Sequence, residues 1–211
     1  AAAQNGAVAA LVTKPDANIA LSQLVVTDVA VALDALGTET RTAHAAAGGQ
    51  LVGITGSVGK TGSKEMLAHL LQPGGCHASR ASFNNHLGVP LTLAALPETP
   101  VDAVQEIGMN APGEISALSA IAQPDIAVIT RIADSHAGFF NSLDDIADAK
   151  AEIFDGLRAG GTAILNRDDA YFERLAARAR DAGAAKIVSF GTDDGADFRL
   201  VSAERHTDGM R

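Results

Sequence analysis

The chain has 211 residues, of which 47% are hydrophobic and 19% charged, a balance that permits a sizeable buried core and argues against global disorder. Sixteen Lys and Arg against 25 Asp and Glu leave a net charge of −9, which speaks against a general nucleic-acid or anionic-membrane surface and requires any phosphate site to be built locally. The single Cys76 forms no internal disulfide and suits a reducing compartment; no apolar run reaches the ~20 residues of a membrane helix, and the small-residue start lacks the basic region of a signal peptide.

In chain order, 7–12 and 24–27 read as strands and 27–45 as a helix. Ala46-Ala47-Gly48-Gly49 reads as a linker, and a domain boundary is expected there. Strand 50–55 then leads into helix 60–71, where Leu67, Leu70 and Leu71 form a stripe for packing on a sheet. Strand 103–107 precedes helix 113–122, which Pro112-Gly113-Glu114 opens with a rigid proline in the first turn and an acid near the positive end of the dipole. Strand 126–132 precedes helix 142–157, with Ser142 as N-cap and Asp145 at the third position. Strand 162–165, helix 169–182, strand 187–190 and a last strand over 197–206 complete the pattern. Strand runs that are apolar throughout fit a mostly parallel sheet covered on both faces, so the fold class is α/β, doubly wound and Rossmann-like.

The strongest chemical signal is Thr55-Gly56-Ser57-Val58-Gly59-Lys60-Thr61 between strand 50–55 and helix 60–71. Glycines let consecutive backbone N–H groups turn around phosphate oxygens, the helix directs its positive end at them, and Lys60 adds a full charge. Thr61 carries the hydroxyl that such loops place on Mg²⁺. The strict G-x-x-x-x-G-K-[ST] pattern fails at Ile54, since Gly53 falls one residue early. The alternative is a structural glycine turn with an incidental lysine; the strand before, the helix after and Lys60-Thr61 favour phosphate.

Open α/β sheets bind ligands at the carboxyl ends of their strands, which directs attention to three further residues. Glu106 ends strand 103–107, and a carboxylate there is either paired, on a metal or at an exposed edge. His136 follows strand 126–132 on a loop, and Lys150 lies within helix 142–157. By residue type alone, both read more readily as ordinary surface or core residues. His44, His69, His77 and His206 lack metal-ligand spacing and read as surface residues. Cys76 has no nucleophile motif, and Tyr171 with the few phenylalanines forms no stacking platform for nucleic acid.

Several segments together resemble the Mur ligases of peptidoglycan synthesis, in particular the MurF type, which adds D-alanyl-D-alanine. The loop Gly53–Thr61 has that family's form, early glycine included, and Lys64-Glu65-Met66-Leu67 is similar to the helix after it. Asn84-Asn85-His86-Leu87-Gly88-Val89-Pro90 resembles the asparagine-pair motif, and Glu106-Ile107-Gly108-Met109-Asn110-Ala111-Pro112-Gly113-Glu114 the block that separates MurF from its sister ligases. Gly138-Phe139-Phe140-Asn141-Ser142-Leu143, Ala147–Phe154 and Asn166-Arg167-Asp168-Asp169 continue the likeness over roughly residues 6–210.

The resemblance implies a set of roles. Thr55 to Thr61 with Asn84 and Asn85 would hold ATP; Thr61, Glu106, His136 and Lys150 would serve two Mg²⁺ ions, with Lys150 carbamylated; and Lys60, His136 and Lys150 would form the catalytic set. A carbamate supplies hard anionic oxygens that an ammonium lacks. The implied reaction is ATP-dependent amide formation, adding D-alanyl-D-alanine to UDP-N-acetylmuramoyl-tripeptide through an acyl phosphate, in the cytoplasm. Residues 1–47 would be a remnant of the N-terminal substrate domain and 48–211 a truncated central ATP-binding domain. The C-terminal domain would be missing, leaving these 211 residues not competent alone. Two residues depart from the family: Gly62 stands where a hydroxyl is usual, and Arg131, in place of an asparagine, would pair with phosphates, pair with Glu106 or crowd the metal site. The alternatives are a sister Mur or folylpolyglutamate-type ligase, and a nucleotide-binding module that has lost catalysis.

Overall fold

The computed structural model describes residues 3–134, 140–203, 205–206 and 209–210. Two short parallel strands, β1 (Ala9–Val12) and β2 (Ser22–Val25), open the chain. Helix α1 (Val29–Ala46) follows, capped by Asp28, whose carboxylate accepts from Ala30 N and Val31 N. Next come β3 (Leu51–Thr55), α2 (Lys60–Leu71), β4 (Cys76–Ala78), α3 (Gly88–Ala94), β5 (Asp102–Glu106), α4 (Glu114–Ala122) and β6 (Ile126–Ile129). Helix α5 (Leu143–Ala151), β7 (Thr162–Asn166), α6 (Phe172–Asp181), β8 (Lys186–Gly191) and β9 (Phe198–Arg199) finish the main unit. Arg205–His206 and Gly209–Met210 pair antiparallel, apart from the main sheet. Among the described residues no helix is long and apolar enough to cross a membrane.

Seven parallel strands form the main sheet in the order β4–β5–β3–β6–β7–β8–β9. Strand β3 is buried along its whole length between β5 and β6. After β3 the chain serves first one side of the sheet and then the other, so a topological switch point lies at its carboxyl end. One face carries the large core, in which Leu51, Leu93, Ile107, Ile115, Ile129, Ile146, Ile153, Phe154, Leu165 and Leu175 pack together. On the other face Val52, Ile54 and Val104 meet Leu67 and Leu71 of α2.

That second face is less covered than the apolar strand runs suggest. Helix α2 lies over β3, β4 and β5, and Ile126 and Val128 of β6 and Ile164 and Val188 of β7 and β8 stay only half-buried. Leu70, expected in the packing stripe, is exposed; Leu67 and Leu71 alone reach the sheet.

Several other expectations change for local reasons. The Ala46–Gly49 segment is the tight close of α1: Gly49 N donates to His44 O, Gly48 N to Ala45 O, and Gly48 takes φ +95°. Gly49 is required because a Cβ there would overlap the His44 ring. Pro112 falls before the N-cap, which is Gly113 at φ +88°. Helix 142–157 divides into α5 and a 3-10 turn over Glu152–Gly156. There the Ser119 hydroxyl donates to Ile153 O and accepts from Gly156 N, drawing the turn onto α4. The cap at Ser142 forms as expected, its hydroxyl accepting from Asp145 N. Helix α6 starts at Phe172, later than 169, because the Asp169 carboxylate takes Tyr171 N and Ile132 N instead. Only Phe198–Arg199 of the expected 197–206 strand joins the sheet. Strand β4 and helix α3 were not expected; β4 has three residues and α3 seven.

Helix α1 packs on α3 and α4, with Gly37 lying close against the Pro90 backbone. Arg41 is fully buried and donates to Ala122 O, Gln123 O and the Asp125 carboxylate. Asp125 also accepts from Leu51 N at 2.8 Å and pairs with Arg158 at 3.1 Å. His44 is buried rather than on the surface: its Nε2 lies 2.8 Å from Val101 O, and burial lowers its pKa, favouring the neutral ring. His77 is half-buried with Nε2 2.9 Å from Thr92 O, His69 is exposed, and the His206 side chain lies outside the described residues. Removing Asp125 strands the buried Arg41 charge and the Leu51 amide. Asp125→Ala is expected to cost about 3–5 kcal/mol of unfolding free energy, read from urea denaturation.

Candidate functional site

The glycine-rich loop leaves the buried end of β3 and enters α2 at Lys60. Gly59, the N-cap, takes φ +87°, and Gly56 takes φ +143° with a Cβ position that would overlap Thr130 Oγ1. Both positions therefore require glycine. The loop is braced from the residues just after β6: Ser57 N donates to Arg131 O, and Thr130 Oγ1 donates to Val58 O at 2.6 Å while lying 3.2 Å from Thr55 O. Lys60 Nζ folds back onto Gly56 O at 2.7 Å. Its pKa is lowered by burial, an effect opposed by Glu106.

Glu106 is 1% exposed at the end of β5. Its Oε2 accepts from Thr61 Oγ1 and its Oε1 from Asn84 Nδ2, each at 2.8 Å. A buried carboxylate is retained only when so bonded. A cavity of about 150 Å³ opens beside it, lined by Lys60, Asn84, Asn85, Gly108, Met109, Asn110 and Glu114. The two asparagines share this cavity but act differently, because Asn85 Oδ1 accepts from Leu87 N and Gly88 N at the start of α3. Gly108 is needed where it stands, since a Cβ would press on the Asn84 amide at 2.9 Å.

Lys150 is 0% exposed, and its ammonium has no hydrogen-bond partner among the described residues. Its pKa falls to about 8, first through burial, then through repulsion by Lys60, with Glu152 opposing. The other buried side-chain atoms without a described partner are Thr55 Oγ1, Ser57 Oγ and Gln105 Oε1. Two of these belong to the loop and the third to the residue before Glu106. Orphaned buried polar atoms are rare and call for an explanation; here all four lie on the loop, next to Glu106 or at Lys150. Two ammonium groups, Lys60 and Lys150, thus lie close enough to repel each other, with Glu106 acting on the first and Glu152 on the second.

His136 lies outside the described residues. Among the described ones no three His, Cys, Asp or Glu side chains cluster as for a metal. Glu106 and Thr61 have the hard oxygen donors Mg²⁺ prefers, and Lys150 would add two more only as a carbamate. Arg131 is exposed and does not reach Glu106, whose oxygens are already taken; it helps, as the weakest contributor, to lower the Asp168 pKa. Asp168 is held below the usual carboxylate range chiefly by Thr192 N and Asp193 N. A Cβ on Gly62 would meet nothing, so this departure leaves the site unobstructed.

Two contributors were missed in the sequence. Glu152 accepts from Gly113 N at 2.7 Å and Ser116 N at 3.1 Å, fastening the start of α4 two residues from Lys150. Lys64 is fully buried against the segment that carries Asn84. The Lys64-Glu65 pair was visible as a motif, but nothing in spacing signalled burial of an ammonium.

A glycine-rich loop at the switch point of a parallel sheet defines a nucleotide-binding α/β unit of the P-loop class. Residues 54–211 match the Mur ligase middle domain, and the chain belongs to the Mur ligase family. It is 40% identical over 153 residues to the UDP-N-acetylmuramoyl-tripeptide–D-alanyl-D-alanine ligase of Rickettsia prowazekii, covering 72% of this chain and 34% of that protein. Among solved structures, MurF from Acinetobacter baumannii superposes with a TM-score of 0.83 at 33% identity, over 99% of this chain and 47% of that one. MurF ligase from Thermotoga maritima, solved in complex with ADP, gives 0.78 at 26% identity, over 99% and 47%. The chain thus spans between a third and a half of the relatives it matches.

Between pH 8 and 10.5 the unfolded chain binds more protons than the folded one at Lys150, so this residue's destabilisation is full below about pH 8 and is relieved as pH rises to 10.5. Lys150→Met is expected to raise unfolding free energy at pH 7 by about 1–4 kcal/mol. Denaturant titrations should show that gain shrinking across this window.

Proposed function

We propose that this chain is the ATP-binding core of a MurF-type ligase, which joins D-alanyl-D-alanine to UDP-N-acetylmuramoyl-tripeptide in the cytoplasm. The observation that carries the reading is the set of buried atoms without a partner among the described residues, Thr55 Oγ1, Ser57 Oγ and Lys150 Nζ, around a loop whose Gly56 and Gly59 take positive φ. Loop amides from Gly56 to Thr61 and the Lys60 ammonium would bind the β- and γ-phosphates and hold the γ-phosphorus in line with the substrate carboxylate. That carboxylate attacks the phosphorus, the bond to the bridging oxygen breaks, and ADP leaves. The amine of the dipeptide then attacks the acyl carbon, forming the C–N bond, expelling phosphate and losing a proton to solvent or to the departing phosphate.

Thr61 and Glu106, with His136 and a carbamylated Lys150, would hold Mg²⁺, which neutralises phosphate charge when bound. The low pKa of Lys150 supports the carbamate: about one amine in ten is unprotonated at pH 7 if its pKa is about 8. The free amine adds to CO₂, a C–N bond forms and a proton leaves. The resulting anion relieves the repulsion from Lys60. Residues 1–47 are proposed as part of the N-terminal substrate domain, with α1 the strut that seats it on α3 and α4. Loss of catalysis is not favoured, because neither Arg131 nor Gly62 obstructs the cavity.

Calorimetry should detect ATP binding that depends on Mg²⁺, weakened at least about tenfold in Lys60→Ala through loss of a charge-assisted phosphate contact. Equal binding by this variant would sink the phosphate assignment. With ¹³C-bicarbonate, a carbamate carbon resonance should appear in the wild type and be lost in Lys150→Met. The full-length parent should release ADP over many turnovers only when both the UDP-tripeptide and D-alanyl-D-alanine are supplied.

A further inference from the structure

Lys64 presents an arrangement that phosphate binding does not require. It lies one helical turn after Thr61, on the same side of α2, and its side chain is 0% exposed. All three ammonium donors are used: Ser79 O at 2.8 Å, Ala81 O at 2.7 Å and Glu65 Oε1 at 2.8 Å. A buried ammonium is costly unless so saturated, and here it is spent on the backbone of an irregular segment.

That segment, residues 79–87, is the arm that carries Asn84 and Asn85 into the cavity. Ala81 sits at φ +45°, a left-handed conformation that costs a non-glycine residue roughly 1–2 kcal/mol and must be held from outside. The bond from Lys64 to the Ala81 carbonyl is such a hold. Beyond it, Phe83 N bonds Arg80 O, Phe83 O accepts from Gln105 Nε2, and Asn84 O accepts from Gly108 N. Gly88 packs so tightly on the Phe83 backbone that a Cβ there would come within 2.6 Å.

Helix α2 therefore grips the arm twice. The first grip runs from Thr61 through Glu106 to Asn84, using oxygens that a divalent cation would claim. The second runs through Lys64 and uses none of them. We infer that Lys64 is a positioning residue: it ties the phosphate-loop helix to the Asn84–Asn85 arm, so that nucleotide held by the loop sets the opposite wall of the cavity. The transmission half of this inference rests on the nucleotide reading above; the tie itself does not.

The test is amide hydrogen exchange on the 211-residue chain, with and without Mg²⁺-ATP. Without nucleotide, Lys64→Met should speed exchange at residues 83–88 and Gly108 by about tenfold or more, while amides of β3 and β6 change by less than about threefold. Unchanged exchange in the arm, or loss of protection in the sheet to the same degree, overturns the tie. With Mg²⁺-ATP, the wild-type arm should slow by at least about threefold, whereas Lys64→Met should bind nucleotide within about threefold of wild type and show no such slowing. An arm that responds equally in both overturns the transmission. If the wild type fails to bind Mg²⁺-ATP, the nucleotide reading falls and the transmission with it, and the comparison without nucleotide still decides the tie. One readout needs no variant. In wild-type NMR spectra the Lys64 ammonium should exchange slowly and couple to the carbonyl carbons of Ser79 and Ala81, and its absence overturns the tie even if Lys64→Met does not fold.

Discussion

The placement of the functional loops depends on an anchor at the far end of the central strand, where Asp125 accepts from Leu51 N and from the guanidinium of Arg41 while pairing with Arg158. Arg41 in turn holds the carbonyls of Ala122 and Gln123, and Gln123 takes a positive φ of +44°. One carboxylate thus joins the start of β3, the approach to β6, helix α1 and the turn that leads to β7. A five-residue strand spans roughly 17 Å, so fixing Leu51 also fixes where Gly56 emerges. The rigid end and the reactive end of β3 are opposite ends of the same lever.

At the carboxyl end of β3 the energetics run the other way. Lys60 and Lys150 repel each other, Glu106 is engaged by Thr61 and Asn84, and several buried polar atoms have no partner among the described residues. The ammonium repulsion and the buried atoms without a described partner each lower the stability of the folded chain, whereas the two hydrogen bonds to Glu106 offset the cost of burying its charge. The core around Leu51, Ile107, Ile129 and Phe154 supplies the stability that tolerates these costs.

Helix α2 shows how one element serves both purposes. Its first turn faces the phosphate loop, its Leu67 and Leu71 cover Val52, Ile54 and Val104, and Lys64 between them reaches the arm beyond β4. Because the helix lies over β3, β4 and β5 only, the same face of β6, β7 and β8 stays half-covered.

Much of this was legible in the linear pattern. Apolar runs separated by amphipathic spacing specified the parallel α/β sheet, because strands buried on a sheet must be apolar whatever their neighbours. The glycine loop was readable because its chemistry is local: strand, positive-φ glycines, lysine and helix dipole occupy consecutive residues. The cap at Ser142 was readable for the same reason. Glu106 and Lys150 were ambiguous, since a carboxylate or an ammonium acquires meaning only from burial and from partners distant in sequence. The tertiary structure alone decided that Glu106 meets Thr61 and Asn84, that Lys150 is buried without a described partner, and that His44 is interior. It likewise decided that Ala46–Gly49 forms the tight close of α1, since Gly49 is demanded by the His44 ring. It also brought Lys64 to the carbonyls of Ser79 and Ala81, 15 and 17 residues away. The sequence determined what could form from neighbours along the chain; charges, whose energy depends on the dielectric and on whatever folding places within a few ångströms, were left for the fold to assign.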